Sequence, residues 1–156
     1  MLSTSILLDY QSSTPCLEEV VNSMAPYWSE IFSNPSSKSN LAGINASAIL
    51  EVSREKIQDY LFLKKKKVIF TSGATESNNL ALLGFARNYH KETEKYGHII
   101  TLKTEHKAVL GPLDQLKKEG FNVTEMSPEK DGLISEEKFI DCIRDDTFLV
   151  SIMMAN

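Results

Sequence analysis

The residues most suited to chemistry lie in the stretch 70–79, which reads Phe-Thr-Ser-Gly-Ala-Thr-Glu-Ser-Asn-Asn. It follows a short apolar run and precedes a helical pattern. The small side chains of Ser72, Ala74 and Thr75 leave the first amide groups of that helix uncovered. These amides and the helix dipole favour an anion, most naturally a phosphate, and the hydroxyls of Ser72, Thr75 and Ser77 would add donors. The alternative is that Ser72 or Thr75 only caps the helix.

The ligand implied by this turn is smaller than a nucleotide. No Gly-Lys-Ser/Thr follows Gly73 at the spacing of a P-loop, and the turn does not match the Gly-x-Gly-x-x-Gly pattern of dinucleotide sites. A small phosphorylated molecule therefore fits the pattern better.

A second polar turn, residues 103–107, follows the next predicted strand. His106 in this turn can stack on a planar ligand or transfer protons near neutral pH, or it can simply cap the following helix. Lys103 and Lys107 suggest a Schiff-base lysine, but we interpret both as charged residues at a strand–helix junction. The three histidines of the chain show no metal-ligand spacing, so no metal site is predicted.

The elements that would position these turns follow an α/β pattern. Strands are predicted at 68–70, 98–101, 121–124 and 147–154, and helices at about 15–24, 41–63, 76–89, 108–118 and 135–144. Alternation of this kind predicts a mostly parallel sheet flanked by helices, whose ligands bind at the carboxyl ends of the strands. Both polar turns should therefore open on one edge. No helix follows the apolar last strand, so we expect the sequence to stop in mid-fold.

Composition excludes several classes of protein. The 156 residues are 42% hydrophobic and 24% charged, with a net charge of −4, which argues against a general nucleic-acid binder. No apolar run reaches membrane-spanning length, and residues 1–5 lack the features of a signal peptide, so a cytoplasmic protein is expected. Cys16 and Cys142 make no metal or redox spacing, and we interpret both as structural.

The two polar turns together resemble the cysteine desulfurases, which are pyridoxal-phosphate enzymes of aminotransferase class V. Residues 70–79 and 104–109 carry most of the resemblance, and its order and spacing extend over essentially the whole chain. Further similar segments are 8–10, 14–15, 34–37, 145–147 and 150–153. The implied fold is part of the large domain of a fold-type I pyridoxal-phosphate-dependent transferase.

The resemblance implies roles for three residues. Those matching Ala74 and Thr75 hold the phosphate of pyridoxal 5′-phosphate, and the one matching His106 stacks on the pyridine ring and takes part in proton transfer. The implied reaction converts L-cysteine to L-alanine and passes the sulfur, through an enzyme persulfide, to an acceptor or scaffold protein in iron–sulfur cluster assembly. Family members are homodimers.

The chain also departs from the family pattern. The Schiff-base lysine, the aspartate that pairs with the pyridine nitrogen, the persulfide cysteine and the small C-terminal domain would all follow Asn156. Asn156 matches only the first of two adjacent asparagines, and Asn40 and Ser33 replace the family's usual histidine and glycine. We therefore expect an N-terminal segment and loop over 1–40, an incomplete cofactor-binding domain over 41–156, and no activity of the chain alone.

Two other functions remain open at this stage. The chain could be a non-catalytic dimerisation or assembly module, in which case its last strand would need a partner. It could also belong to another class V enzyme, such as a selenocysteine lyase.

Overall fold

The structure is a computed structural model that describes residues 6, 8–10, 12–63 and 66–155. The expectations for residues 1–5 and for Asn156 concern residues outside this set. The chain divides into two compact units, Met1–Ile69 and Phe70–Asn156. Both polar turns belong to the second unit. The boundary predicted at residue 40 stays a prediction.

The first unit is helical, with α1 over Glu18–Met24, α2 over Pro26–Ser29 and α3 over Leu41–Tyr60. The Asn40 side chain caps α3 by accepting a hydrogen bond from the Gly43 amide at 2.7 Å. A Cβ atom at Gly43 would lie 2.3 Å from the Ser37 carbonyl oxygen, so only glycine lets the preceding loop pack this closely on the helix.

The predicted strand at 68–70 is wrong. The structure has no strand there, and the side chains of Ile69 and Phe70 are 57% and 44% exposed. The backbone carbonyl of Val68 instead accepts a hydrogen bond from the Arg54 guanidinium. An apolar β-branched run forms a strand only when a neighbouring strand pairs with it, and no strand in the described part of the chain does so.

The second unit is built on a parallel sheet of three strands among its described residues. The strands are β1 over His98–Leu102, β2 over Asn122–Met126 and β3 over Thr147–Val150, and β1 lies in the centre. The helices are α4 over Ala74–Thr93, α5 over Lys107–Glu119 and α6 over Glu136–Cys142. The predicted α/β fold with a parallel sheet flanked by helices is confirmed.

Apolar side chains cover both faces of the sheet. On one face Ile99 packs with α4 and α5 in a buried cluster completed by Leu82, Ala86, Val109, Leu113, Leu116 and Phe121. On the other face Ile100 and Leu102 pack with Met126, and Phe139 of α6 lies against them. Successive residues of β1 therefore point to opposite faces, and the central strand is buried along its whole length.

His98 joins all three strands through its buried ring. Its Nδ1 lies 2.7 Å from the Thr147 hydroxyl on β3, and its Nε2 lies 2.7 Å from the Thr124 hydroxyl on β2. Burial lowers the pKa of His98 below its usual 6.5; the charge of Arg144 lowers it further, while Asp146 opposes the shift. The folded chain thus holds this imidazole neutral at pH values where an unfolded chain binds a proton.

The free energy of unfolding is therefore expected to fall as the pH drops below about 6.5, because the unfolded state then binds a proton that folded His98 does not. Urea titrations on either side of that pH measure the effect. The His98→Gln variant should lose part of this pH dependence, whereas His90→Gln, which removes a half-buried histidine outside the sheet, should keep it. Equal pH dependence in the chain and in His98→Gln would contradict the assignment.

Candidate functional site

The start of α4 presents unpaired amide groups. Gly73 is the N-cap residue and has no side chain to cap with, and the first helical bond runs from the Ser77 amide to the Gly73 carbonyl at 3.1 Å. The amides of Ala74, Thr75 and Glu76 therefore have no partner within the helix. Neither Ser72 nor Thr75 caps α4, so the simple capping alternative does not describe this turn.

Most of the neighbouring hydroxyls already make hydrogen bonds within the turn. Ser72 donates its hydroxyl and its amide to one carboxylate oxygen of Glu76, both at 2.6 Å. These two bonds lower the pKa of Glu76 and keep it charged. The Ser77 and Thr71 hydroxyls are 2.6 Å apart, and Thr71 donates onward to the Gly73 carbonyl.

Thr75 is the exception among the three predicted donors. Its hydroxyl makes no hydrogen bond with any of the described residues, and its side chain is exposed at the first turn of α4. A Cβ atom built on Gly73 meets nothing within 4 Å, so the space before these groups is open. The turn therefore offers free amides and one free hydroxyl to an anion.

His106 caps α5 and keeps its ring exposed. Its Nδ1 accepts a hydrogen bond from the Ala108 amide at 3.1 Å, which confirms the capping interpretation. Because Nδ1 is the acceptor, the neutral ring carries its proton on Nε2. The face of the ring and the Nε2 proton therefore remain available to a ligand, since capping uses only one edge.

The two turns lie at the same edge of the sheet. Arg87 of α4 and Glu119 of α5 form a bidentate ion pair, with guanidinium nitrogens 2.5 and 3.0 Å from the two carboxylate oxygens. These hydrogen bonds lower the pKa of Glu119 to about 2. Tyr89 stacks on Phe148 at 4.0 Å near the start of β3, so this ion pair marks the amino edge of the sheet.

The beginnings of α4 and α5 lie at the opposite, carboxyl edge. Ala74 and His106 each precede their member of the ion pair by thirteen positions, which is about 20 Å of helix. Two helices packed side by side have axes roughly 8–10 Å apart. The amides at the start of α4 and the ring of His106 therefore lie at the same edge of the sheet.

Two polar residues near this edge were not identified from the sequence. Glu105 is only 8% exposed, and its carboxylate accepts a hydrogen bond from the Met153 amide at 2.5 Å. Thr101 is fully buried at the end of β1, and its hydroxyl has no partner among the described residues. No local sequence signal identifies either residue. The Glu105 hydrogen bond, for example, joins residues 48 positions apart in the sequence.

The described residues show neither a metal cluster nor a membrane span. No group of three or more His, Cys, Asp or Glu side chains within them could hold a metal ion. None of the helices over residues 6, 8–10, 12–63 and 66–155 is long and apolar enough to cross a bilayer.

The residues at the carboxyl edge fit a phosphorylated aromatic ligand. Free amides and the Thr75 hydroxyl suit a phosphate, and an exposed imidazole at the neighbouring helix start suits a planar ring. Comparison with known proteins agrees with this class of site. Residues 6–156 match the aminotransferase class-V family, and the chain belongs to that family.

Within this family the chain is similar to cysteine desulfurases, as the sequence motifs predicted. It is 46% identical to cysteine desulfurase IscS of Haemophilus ducreyi over 153 residues, which cover 97% of this chain and 37% of that protein. It is 44% identical to IscS of Neisseria meningitidis (serogroup C, serotype 2a) over 155 residues, covering 99% and 38%. The chain thus spans little more than a third of the length of these curated relatives.

Solved structures show the same likeness. One described as "SspA in complex with cysteine" superposes with a TM-score of 0.81 at 38% identity, covering 95% of this chain and 42% of that one. A "NifS-like protein" superposes with a TM-score of 0.83 at 34% identity, covering 95% and 40%. The fold of the chain is therefore shared with proteins that are clearly related in sequence.

Proposed function

We propose that the chain forms the phosphate-binding and ring-stacking part of a pyridoxal 5′-phosphate site in a cysteine desulfurase. The observation that carries the proposal is the meeting of two features at one sheet edge. These are the free amides and hydroxyl at Ala74 and Thr75, and the exposed ring of His106.

Each residue has a distinct task in this proposal. The Ala74 and Thr75 amides and the Thr75 hydroxyl bind the phosphate, where the positive end of the α4 dipole adds to the attraction. His106 stacks on the ring, and its Nε2 proton can be donated to a neighbouring acceptor. The cofactor itself supplies an electron sink for bond breaking in the amino-acid substrate.

The substrate and partners are proposed from the relatives. Their name, cysteine desulfurase, supports L-cysteine as substrate and L-alanine as product, with sulfur passing to an acceptor or scaffold protein for iron–sulfur clusters. The neighbour described with bound cysteine supports the same substrate. A homodimer, a cytoplasmic location and a cofactor-binding domain over 41–156 complete the proposal, together with inactivity of this chain alone.

Titration with pyridoxal 5′-phosphate tests the proposal through changes in the absorbance of the ligand. The chain is expected to bind it and to bind pyridoxal, which lacks the phosphate, much more weakly. In the His106→Asn variant the affinity should fall by up to about tenfold, since ring stacking is worth about 0.5–1.5 kcal/mol. Asparagine is a preferred N-cap residue, so the melting temperature should not change.

The controls separate stacking from other effects. His106→Phe keeps an aromatic ring but lacks the cap. It should bind pyridoxal 5′-phosphate more tightly than His106→Asn does at temperatures where both variants are folded. His90→Asn removes a histidine that stacks on Tyr96 at the far end of α4 and should bind like the chain itself. Equal affinity for pyridoxal and its phosphate would contradict the proposed site.

L-Cysteine added to the chain with bound pyridoxal 5′-phosphate should release neither sulfide nor alanine.

The second candidate is an assembly module, favoured by exposed apolar side chains along and after β3. Val150 and Ile152 are 43% and 40% exposed, and Met154 is fully exposed. Light scattering distinguishes this function, because a stable monomer across concentrations would contradict it.

A further inference from the structure

Glu105 is a buried acidic residue beside the candidate site. Its neighbours His106 and Lys107 are exposed, whereas Glu105 is 8% exposed and turns inward. It forms no ion pair with the described residues, and its one recorded side-chain bond comes from the Met153 amide at 2.5 Å. Burying a carboxylate costs free energy, so the inward position of Glu105 indicates that the fold uses this side chain.

The turn that carries Glu105 is fastened on both sides. Towards β2, the Lys103 amide donates to the Met126 carbonyl at 2.9 Å. Towards β3, the Glu105 carboxylate is the link, and it reaches past the end of the strand to the segment 151–155. Within the turn, the Glu105 amide donates to the Leu102 carbonyl at 3.2 Å. The residue therefore connects the end of β1, the start of α5 and the chain that leaves β3.

Apart from the Glu105 contact, the segment 151–155 is hydrogen-bonded to the sheet at its first residue, Ser151. The Ser151 amide donates to the Ile100 carbonyl at 2.9 Å and continues the pairing of β3 with β1. Met153 lies two residues further on, beyond the end of β3. Its amide donates to the Glu105 carboxylate instead of to a backbone carbonyl of β1. A charged acceptor makes a stronger hydrogen bond than a neutral carbonyl, which suits a segment outside the sheet.

We propose that Glu105 is a positioning residue of the cofactor site. Its carboxylate holds the segment 151–155 next to His106, and this segment forms a third side of the pocket beside the α4 amides and the imidazole. The inference rests on the proposed function, because it assumes that the ring of pyridoxal 5′-phosphate lies at His106. Glu105 itself does not touch the ligand in this arrangement.

Amide hydrogen exchange measured by NMR tests the contact directly. In Glu105→Ala the Met153 amide should exchange at least about tenfold faster, because its acceptor is gone. The Ser151 amide, which bonds to a backbone carbonyl, should be unchanged and serves as an internal reference. Glu105→Gln retains a carbonyl acceptor and should restore most of the protection of Met153.

Titration of the same variants with pyridoxal 5′-phosphate tests the positioning role. Affinity should fall about tenfold in Glu105→Ala and recover in Glu105→Gln, while Glu129→Ala, which removes an exposed carboxylate paired with Lys138, should bind normally. Fast exchange at Met153 with unchanged affinity would overturn the role in the site. Slow exchange in Glu105→Ala would overturn the contact. Failure of the unmodified chain to bind would instead overturn the proposed function, and the positioning role with it.

Discussion

The Thr75→Val variant is expected to bind pyridoxal 5′-phosphate about 10- to 100-fold more weakly than the unmodified chain, since a hydrogen bond to a charged group is worth about 1.5–3 kcal/mol. Valine has nearly the shape of threonine and lacks only the hydroxyl donor. Of the three hydroxyls predicted as phosphate donors, those of Ser72, Thr75 and Ser77, only that of Thr75 makes no hydrogen bond with the described residues. The loss should therefore appear in phosphate binding and not in the fold.

Two measurements make this test specific. The affinity for pyridoxal should be nearly the same in Thr75→Val and the unmodified chain, because that ligand has no phosphate. Thr93→Val makes the same substitution at the last residue of α4, at the opposite edge, and should leave the affinity for the phosphorylated ligand unchanged. An equal loss in both threonine variants would mean that the helix, and not the phosphate contact, had been changed.

The second large effect concerns the core that fixes α5 to the sheet. Leu113→Ala is expected to lower the free energy of unfolding by about 2–5 kcal/mol, through lost burial and the cavity left behind. Leu113 is fully buried and lies in one cluster with Leu82 of α4 and Ile99 of β1. Urea denaturation followed by circular dichroism measures the change.

Leu133→Ala is the matched control for this substitution. Leu133 is 68% exposed in the loop before α6, and its loss should change the free energy of unfolding by no more than about 0.5 kcal/mol. A loss below about 1 kcal/mol in Leu113→Ala would contradict the packing of α5 on β1 and α4. It would also remove the basis for placing His106 and Ala74 at one edge.

Local sequence signals predicted the elements around the site well. The helix predicted at about 108–118 forms α5, which ends at Gly120 with a φ of 111°. The helix predicted at about 135–144 forms α6, which Ser135 caps by accepting a hydrogen bond from the Lys138 amide. The apolar run at 98–101 forms the central strand. The likeness to cysteine desulfurases in aminotransferase class V, predicted from the two turns together, is confirmed by the comparisons.

Long-range contacts account for what the sequence did not predict. The run at 68–70 has the composition of a strand, but a strand depends on a partner that local sequence does not specify. His98 is the first residue of its strand as predicted, yet its burial between Thr124 and Thr147 depends on residues 26 and 49 positions away. The predicted cofactor roles of Ala74, Thr75 and His106 stay predictions.

Residue types and their spacing determined by themselves that two polar turns begin two helices of a parallel α/β fold, because capping, turn and periodicity preferences act over a few neighbouring residues. Only the tertiary structure decided which groups in those turns are free. Ser72 and Ser77 are used within their own loop, Thr75 is not, and Glu105 turns inward to Met153. The physical reason is that a hydrogen bond depends on where the chain brings its partner, and the folded sheet sets that placement.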